Sequence, residues 1–254
     1  MTAVSSRGSL VLIMNLTDRQ AQILKTIIEE YTSTAEPVGS ITLEKKYNLG
    51  ISPATIRNEM VTLTKMGFLL QPHTSAGRTP TPMALKYYVR ELVKEQELST
   101  AEEVAVKEKV WDQRFEVEKF LHQITRVLAE TTNDLAIICT SKGDVYHAGY
   151  AHILDNPEFY DIDVAREVLS LIDEFAELNE IFTKASGEET VHILVGDDLD
   201  SKWFQSLGLV FTDFKAPQLS GSIGVIGPSR LNYPQLIPVV RYFGGLVNEI
   251  SQNW

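Results

Sequence analysis

Apolar positions near the start of the chain recur with a helical period. Leu16, Ile23, Leu24, Ile27, Ile28 and Tyr31 fall every three or four residues, which predicts a helix with Thr17 as its N-cap. Pro37 pushes Glu36 out of the α region, so Thr32–Gly39 ends it. Ser40 caps a short helix carrying Ile41, Leu43 and Tyr47, and Asn48–Gly50 turns the chain. Ser52-Pro53 opens a third helix, with Ser as N-cap and Pro at the first helical position. Its apolar stripe is Ile56, Met60 and Leu63, and Gly67 stops it. Phe68–Leu70 and Thr79–Thr81 read as two short strands around an exposed turn, and Pro82 opens a helix through Tyr87, Tyr88 and Leu92. Helix, helix, turn, helix, hairpin, helix is the order of a winged helix-turn-helix.

Residues 95–132 read as one long linker helix. Val110, Val117 and Ile124 fall seven apart, with Val106, Phe120 and Val127 in the companion positions and Gln113 as a polar exception. Such a stripe serves either as a seam with a second copy of the chain or as packing on its own body. As a seam it would lie next to the winged heads and fix their spacing. The closing helix, with Leu236, Val240, Phe243 and Val247, is a second candidate.

Beyond it the period alternates between strand and helix. Leu135–Thr140 and Val145–Tyr150 flank a Lys142-Gly143-Asp144 turn, Val164–Lys184 is amphipathic, and Val191–Val195, Leu209–Phe214 and Ile223–Ile226 are strand-like. Gln235–Ile250 closes the chain as a helix. The fold class expected is α+β: a loose arm over 1–14 (with Met14 as an alternative start), a winged helix over 15–94, a linker helix over 95–132 and an α+β domain over 133–254.

Composition adds exclusions. With 44% hydrophobic and 22% charged residues the chain is neither disordered nor fibrous. One cysteine, Cys139, cannot form an internal disulfide, which points to a reducing, cytoplasmic setting, and the longest apolar run is too short to span a bilayer. The net charge of −11 is unevenly placed. Residues 1–90 carry ten Lys and Arg against six Asp and Glu, a net +4, while the remainder carries thirteen against twenty-eight, a net −15. A small basic module on an acidic body is the asymmetry expected when one part meets phosphate.

The third helix supplies the matching chemistry. Ala54, Thr55, Arg57, Asn58 and Lys65 lie beside or opposite its apolar stripe. Arg bonds guanine bidentately, Asn bonds adenine, and Thr or Ala methyl groups touch thymine in the major groove. A solvated helix face would also be polar, so the weight comes from the turn, the wing and the local charge together. His73, Ser75, Gly77 and Arg78 form the candidate wing, with Gly77 permitting a positive φ at its tip. Lys45, Lys46 and Lys86 are candidate phosphate contacts, which add affinity without sequence choice, and Ser40 and Ser52 at the helix starts are further candidate DNA-binding residues.

Catalytic patterns find no support. The five histidines lack metal-ligand spacing, the lone cysteine has no partner, and neither a nucleophile elbow nor a P-loop occurs. Gly221, Gly224 and Gly227 sit in a strand pattern without a following phosphate-binding helix start, and His147 and His152 read as structural. No enzyme, metal or cofactor is expected.

Several segments carry a more specific likeness. Leu16–Gln20, Glu36-Pro37-Val38-Gly39-Ser40, Ser52-Pro53-Ala54-Thr55-Ile56-Arg57-Asn58-Glu59-Met60 and Gln71–Arg78 closely resemble the N-terminal domain of the heat-inducible transcription repressor HrcA family. Asn156-Pro157-Glu158-Phe159 and the stretch from Gly224 through Arg230-Leu231-Asn232-Tyr233 resemble two further markers of that family. The resemblance implies a homodimeric repressor on an inverted-repeat DNA operator upstream of chaperone operons. It also implies a GAF-like body and modulation by a GroEL-type chaperonin. Family members typically carry a dimerising domain inserted into that body, whereas here the chain passes from Ile138 to Tyr146 almost directly. The alternative is a small-molecule-responsive winged-helix regulator with a ligand-binding GAF-like domain. An open cavity in the body would favour the sensor, and a filled one the repressor.

Overall fold

The computed structural model describes residues 16–184, 189–199, 201–217, 219–252 and 254. The arm expected over 1–14 lies outside them.

The head is built from local signals. Helix α1 (Asp18–Thr34) starts in a capping box, in which Thr17 and Gln20 satisfy each other's backbone N–H groups. It ends at Ala35 in the left-handed region. Helix α2 (Ser40–Lys46) follows, with Gly39 rather than Ser40 at the cap position; Ser40 is the first helical residue and is buried. Helix α3 (Pro53–Lys65) begins as expected, the Ser52 side chain accepting from the Thr55 N–H. Strands β1 (Leu69–Leu70) and β2 (Thr79–Pro80) pair antiparallel as the wing. Thr81 caps α4 (Pro82–Tyr87), which runs into a π-helical turn over Tyr88–Leu92.

The linker is two helices, not one. Helix α5 (Thr100–Trp111) and helix α6 (Val117–Thr132) are separated by turns at 112–115, and α6 doubles back on α5. Gln123 Nε2 donates to the Lys109 carbonyl at 3.0 Å, and Lys109 pairs with Glu130. A straight helix over the 95–132 span would be about 57 Å long, well beyond a domain's width. Folding it lets both halves of the apolar stripe reach one core. Gln113, the polar exception in the stripe, sits in the turn.

The body is a five-stranded antiparallel sheet in the order β4-β3-β7-β6-β5. Its strands are β3 (Leu135–Thr140), β4 (Val145–Ala148), β5 (His192–Val195), β6 (Leu207–Lys215) and β7 (Ser220–Pro228). Gly149 turns the chain after β4 at φ +93°, so Tyr150 begins α7 (Tyr150–Leu154) instead of extending the strand. The helix expected over Val164–Lys184 is also two, α8 (Ile162–Asp173) and α9 (Phe175–Lys184), broken at Glu174. Helix α10 (Tyr233–Ser251) closes the chain.

Both faces of the sheet are covered, which is why β3 is buried at every position. Ala136, Ile138, Val210 and Val225 meet Phe120, Ile124, Val240, Phe243 and Val247 on one side, in a core continuous with that of the head. Leu135, Ile137, Leu209 and Phe211 meet Val168, Leu171, Ile172 and Phe182 on the other. The glycine run has a packing role in central strand β7. A Cβ on Gly224 would lie 2.3 Å from the Val210 carbonyl oxygen and 2.5 Å from Phe211 Cβ, and one on Gly221 would meet the Phe214 ring.

Candidate nucleic-acid interface

Helix α3 turns Ile56, Met60 and Leu63 into the head core and leaves Ala54, Arg57, Asn58 and Lys65 exposed, with Thr55 half-buried beside the Ser52 cap. The exposed row also includes Val61 and Thr62, between Asn58 and Lys65, which periodicity shows as polar-side positions but residue chemistry does not single out. Glu59 on the flank accepts from Gln20 Nε2 at 3.1 Å, which ties α3 to α1.

Helix α2 is fixed by a buried carboxylate. Glu30 of α1, 5% exposed, accepts from Lys46 Nζ and from the Tyr47 hydroxyl at 2.8 Å. The Lys46 ammonium holds Glu30 below the usual carboxylate range against the opposing effect of burial. Burial, reinforced by Glu30, pushes Tyr47 up to about 12. Lys46 is therefore tied to the head's own framework, and both it and Lys45 beside it are exposed.

The wing differs from expectation at its base. His73 and Ser75 are exposed at the tip. Arg78 is not at the tip. Its backbone exchanges two 2.8 Å hydrogen bonds with Val38, and its Nε donates to Thr64 Oγ1 of α3 at 3.1 Å. It braces wing, turn and recognition helix together. Gly77 does not adopt a positive φ; it is needed because a Cβ there would lie 2.4 Å from the Val38 carbonyl oxygen. Gln71 Nε2 bonds the Thr74 and Ala76 carbonyls and shapes the tip from within. Lys86 of α4 pairs with Asp198 of the body at 2.6 Å, which makes it a tie between head and body.

Neither candidate dimer seam is a free surface. Val106, Val110, Phe120, Ile124 and Val127 are at most 5% exposed, and Val117 packs partly buried against the same core. Leu236, Val240, Phe243 and Val247 of α10 are buried as well. Of the two uses open to a linker stripe, the structure shows packing on the chain's own body. On its outer side α5 exposes Val104 and Trp111, and Phe115 follows in the turn.

Elsewhere, burial pushes the Cys139 thiol up to about 11, which removes it as a nucleophile at neutral pH. His147 hydrogen-bonds Tyr150, and His192 stacks on Phe211. No cluster of His, Cys, Asp and Glu among the described residues could hold a metal ion, and no described helix is long and apolar enough to cross a membrane.

Comparison with known proteins agrees with this architecture along nearly the whole chain. Residues 15–93 match the winged helix-turn-helix transcription repressor, HrcA DNA-binding, and residues 79–237 match the HrcA protein C terminal domain. The heat-inducible transcription repressor HrcA of Symbiobacterium thermophilum is 26% identical, covering 92% of this chain and 98% of its own. That of Pelotomaculum thermopropionicum is 25% identical, covering 94% and 98%. These alignments, 336 and 340 residues long, exceed the 254 residues of the chain, so both relatives contain residues with no counterpart here. A crystal structure of a hypothetical protein at 2.2 Å resolution superposes with a TM-score of 0.73 at 18% identity, over 94% of this chain and 99% of that one. With its winged helix-turn-helix head and α+β body, the chain belongs to the HrcA family.

Proposed function

We propose that this chain is a sequence-specific DNA-binding repressor of heat-shock and chaperone operons, acting in the cytoplasm as a dimer on an inverted-repeat operator. The observation that carries it is the open polar face of α3. Ala54, Arg57 and Asn58 stand exposed near the helix N-terminus, in the N-terminal segment with net positive charge, while the opposite stripe is locked in the core. Those groups match base edges in the major groove, and the wing tip adds a backbone contact. Lys45 supplies phosphate attraction. The role is binding rather than catalysis, as the names of the relatives suggest.

The small-molecule sensor alternative calls for an open cavity in the body. Both faces of the sheet are instead filled by side chains, and the open cleft beside Ile193 and Ile237 lies between body and head rather than inside the body, which favours the repressor. In this reading a GroEL-type chaperonin keeps the protein active, and heat stress withdraws that help. The test is competition binding of the purified chain to DNA from upstream of its own chaperone operon against unrelated duplex. A preference of at least about 10³ is expected. It should be lost on mild heating and regained with chaperonin and ATP. Equal affinity for both duplexes would overturn the repressor reading, and heat-resistant binding indifferent to chaperonin would favour the sensor.

A further inference from the structure

Two segments with the family likeness, Asn156–Phe159 and the stretch ending in Arg230–Tyr233, lie far from α3 and have no part in base reading. They meet at one side chain. Arg230, just beyond β7, donates from Nε to Glu158 Oε1 at 2.6 Å and from Nη2 to Glu158 Oε2 at 3.1 Å. Nη2 also donates to Asn156 Oδ1, and Nη1 donates to the Thr32 carbonyl, each at 3.0 Å. The Arg230 and Glu158 side chains are only 12% and 13% exposed. Thr32 lies in the last turn of α1, where carbonyls have no partner within the helix and the dipole favours a cation. α1 is also the helix on which α3 and the wing pack. One guanidinium thus joins the body loop to the axis of the head.

The other ties across this junction are of a different kind. Lys86–Asp198 is a single ion pair with side chains 43% and 29% exposed, a class that contributes little. Arg241 pairs with Glu95, and the Gln96 N–H bonds the Pro234 carbonyl, but both grip the connecting segment and not the winged helix. Apolar contact also joins the two parts, through the core that is continuous with the head's, but each such contact is non-directional. Beside that contact a cleft of about 500 Å³ opens between Lys86, Val89, Ile193 and Ile237. The forked, buried bond from Arg230 is the directional one that reaches the head's own central helix.

We propose that Arg230 is a positioning residue for DNA recognition: by clamping the C-terminal end of α1 to the Asn156–Glu158 loop, it sets the angle at which the head stands on the body. α3 is then presented in one orientation, as two heads sharing one operator require. Only this last step rests on the DNA-reading assignment; the clamp itself does not.

The experiment reads the two steps separately. Spin labels are placed in the full chain at Thr62→Cys on α3 and Glu177→Cys on α9, both exposed, with buried Cys139 left in place. Labelled chain is diluted with unlabelled chain, and the intramolecular distance is measured by pulsed electron paramagnetic resonance. The variants are R230K, which keeps the charge but not the fork, and R230M/E158Q, which removes both charges of the Arg230–Glu158 pair. The expected result is one narrow distance distribution in the parent and a clearly broadened one in both variants, with helix content unchanged. In unlabelled chains with Thr62 and Glu177 intact, inverted-repeat binding should fall by about tenfold or more while single half-site binding stays within about threefold, because the clamp affects the pairing of heads and not base contact. An unchanged narrow distribution in folded variants would overturn the clamp, whatever the DNA result. If R230M/E158Q does not fold, R230K decides by the same distance. A parent chain that binds neither DNA would overturn the repressor reading and leave the distance result to decide the clamp.

Discussion

Helices α3 and α6 carry the same kind of pattern and end in opposite situations. Each has an apolar stripe at helical spacing and a polar opposite side. In α3 the stripe is three residues, enough to seat the helix in a small head, and the rest of the helix is half-buried or exposed. In α6 seven residues are buried, because the helix is pressed between the sheet, α5 and α10. Periodicity identifies the face that must leave water. It does not say whether the chain itself or a second copy covers that face. The partner is decided by the turn at 112–115, which folds α6 back on its own body.

The comparison breaks most sharply at Ile124. Fully buried in α6, it has no room for a charge, so Ile124→Glu should cost at least about 4 kcal/mol and abolish cooperative folding in urea. A folded but monomeric variant would instead restore α6 as a seam between copies.

A smaller effect sits at the end of the same helix. Asp134, just beyond the α6 cap Asn133, has its carboxyl pushed up to about 7 by burial, with Arg230 pulling the other way. Because the folded state holds this proton more tightly than the unfolded chain, stability contributed by the protonated form is lost as pH rises from about 4 to about 7. Asp134→Asn should therefore stabilise the protein at pH 8 by about 2–4 kcal/mol, with the gain vanishing near pH 4. Urea denaturation at the two pH values checks this, and a gain independent of pH would contradict it.

The smallest effect belongs to the exposed side of the head. Lys45→Ala should leave stability within about 0.5 kcal/mol and weaken binding to every duplex alike, lowering the salt slope by about one. Titration at two salt concentrations shows it. A sequence-dependent loss would move Lys45 from phosphate to base contact.

What could be read in advance follows the range of each interaction. The head was legible because its signals are local: Thr17, Ser52-Pro53 and Pro82 each mark a helix start within a few residues. The alternating strands of the body were legible for the same reason. The break at 112–115 was not, since Asp112-Gln113-Arg114-Phe115 contains neither Gly nor Pro to mark it. The bracing role of Arg78 was hidden too, because its partner Thr64 lies fourteen residues away on another element. Composition shows Arg78 only as a cation near a turn. The ion pairs of Lys46 with Glu30 and of Lys86 with Asp198 were hidden for the same reason, since each joins separate elements.

The reading of DNA by α3 is tested most directly by competition titration of parent and Arg57→Ala protein. The probes are the operator, operators substituted one base pair at a time, and unrelated duplex. Arg57 is exposed and off the core stripe, so the variant should fold normally. The expected result is a loss of about 1–3 kcal/mol on the operator, relaxed preference at one base pair in each half-site, and unchanged affinity for unrelated duplex apart from the lost charge. An equal loss on every duplex, or none on the operator, would contradict base reading by this helix.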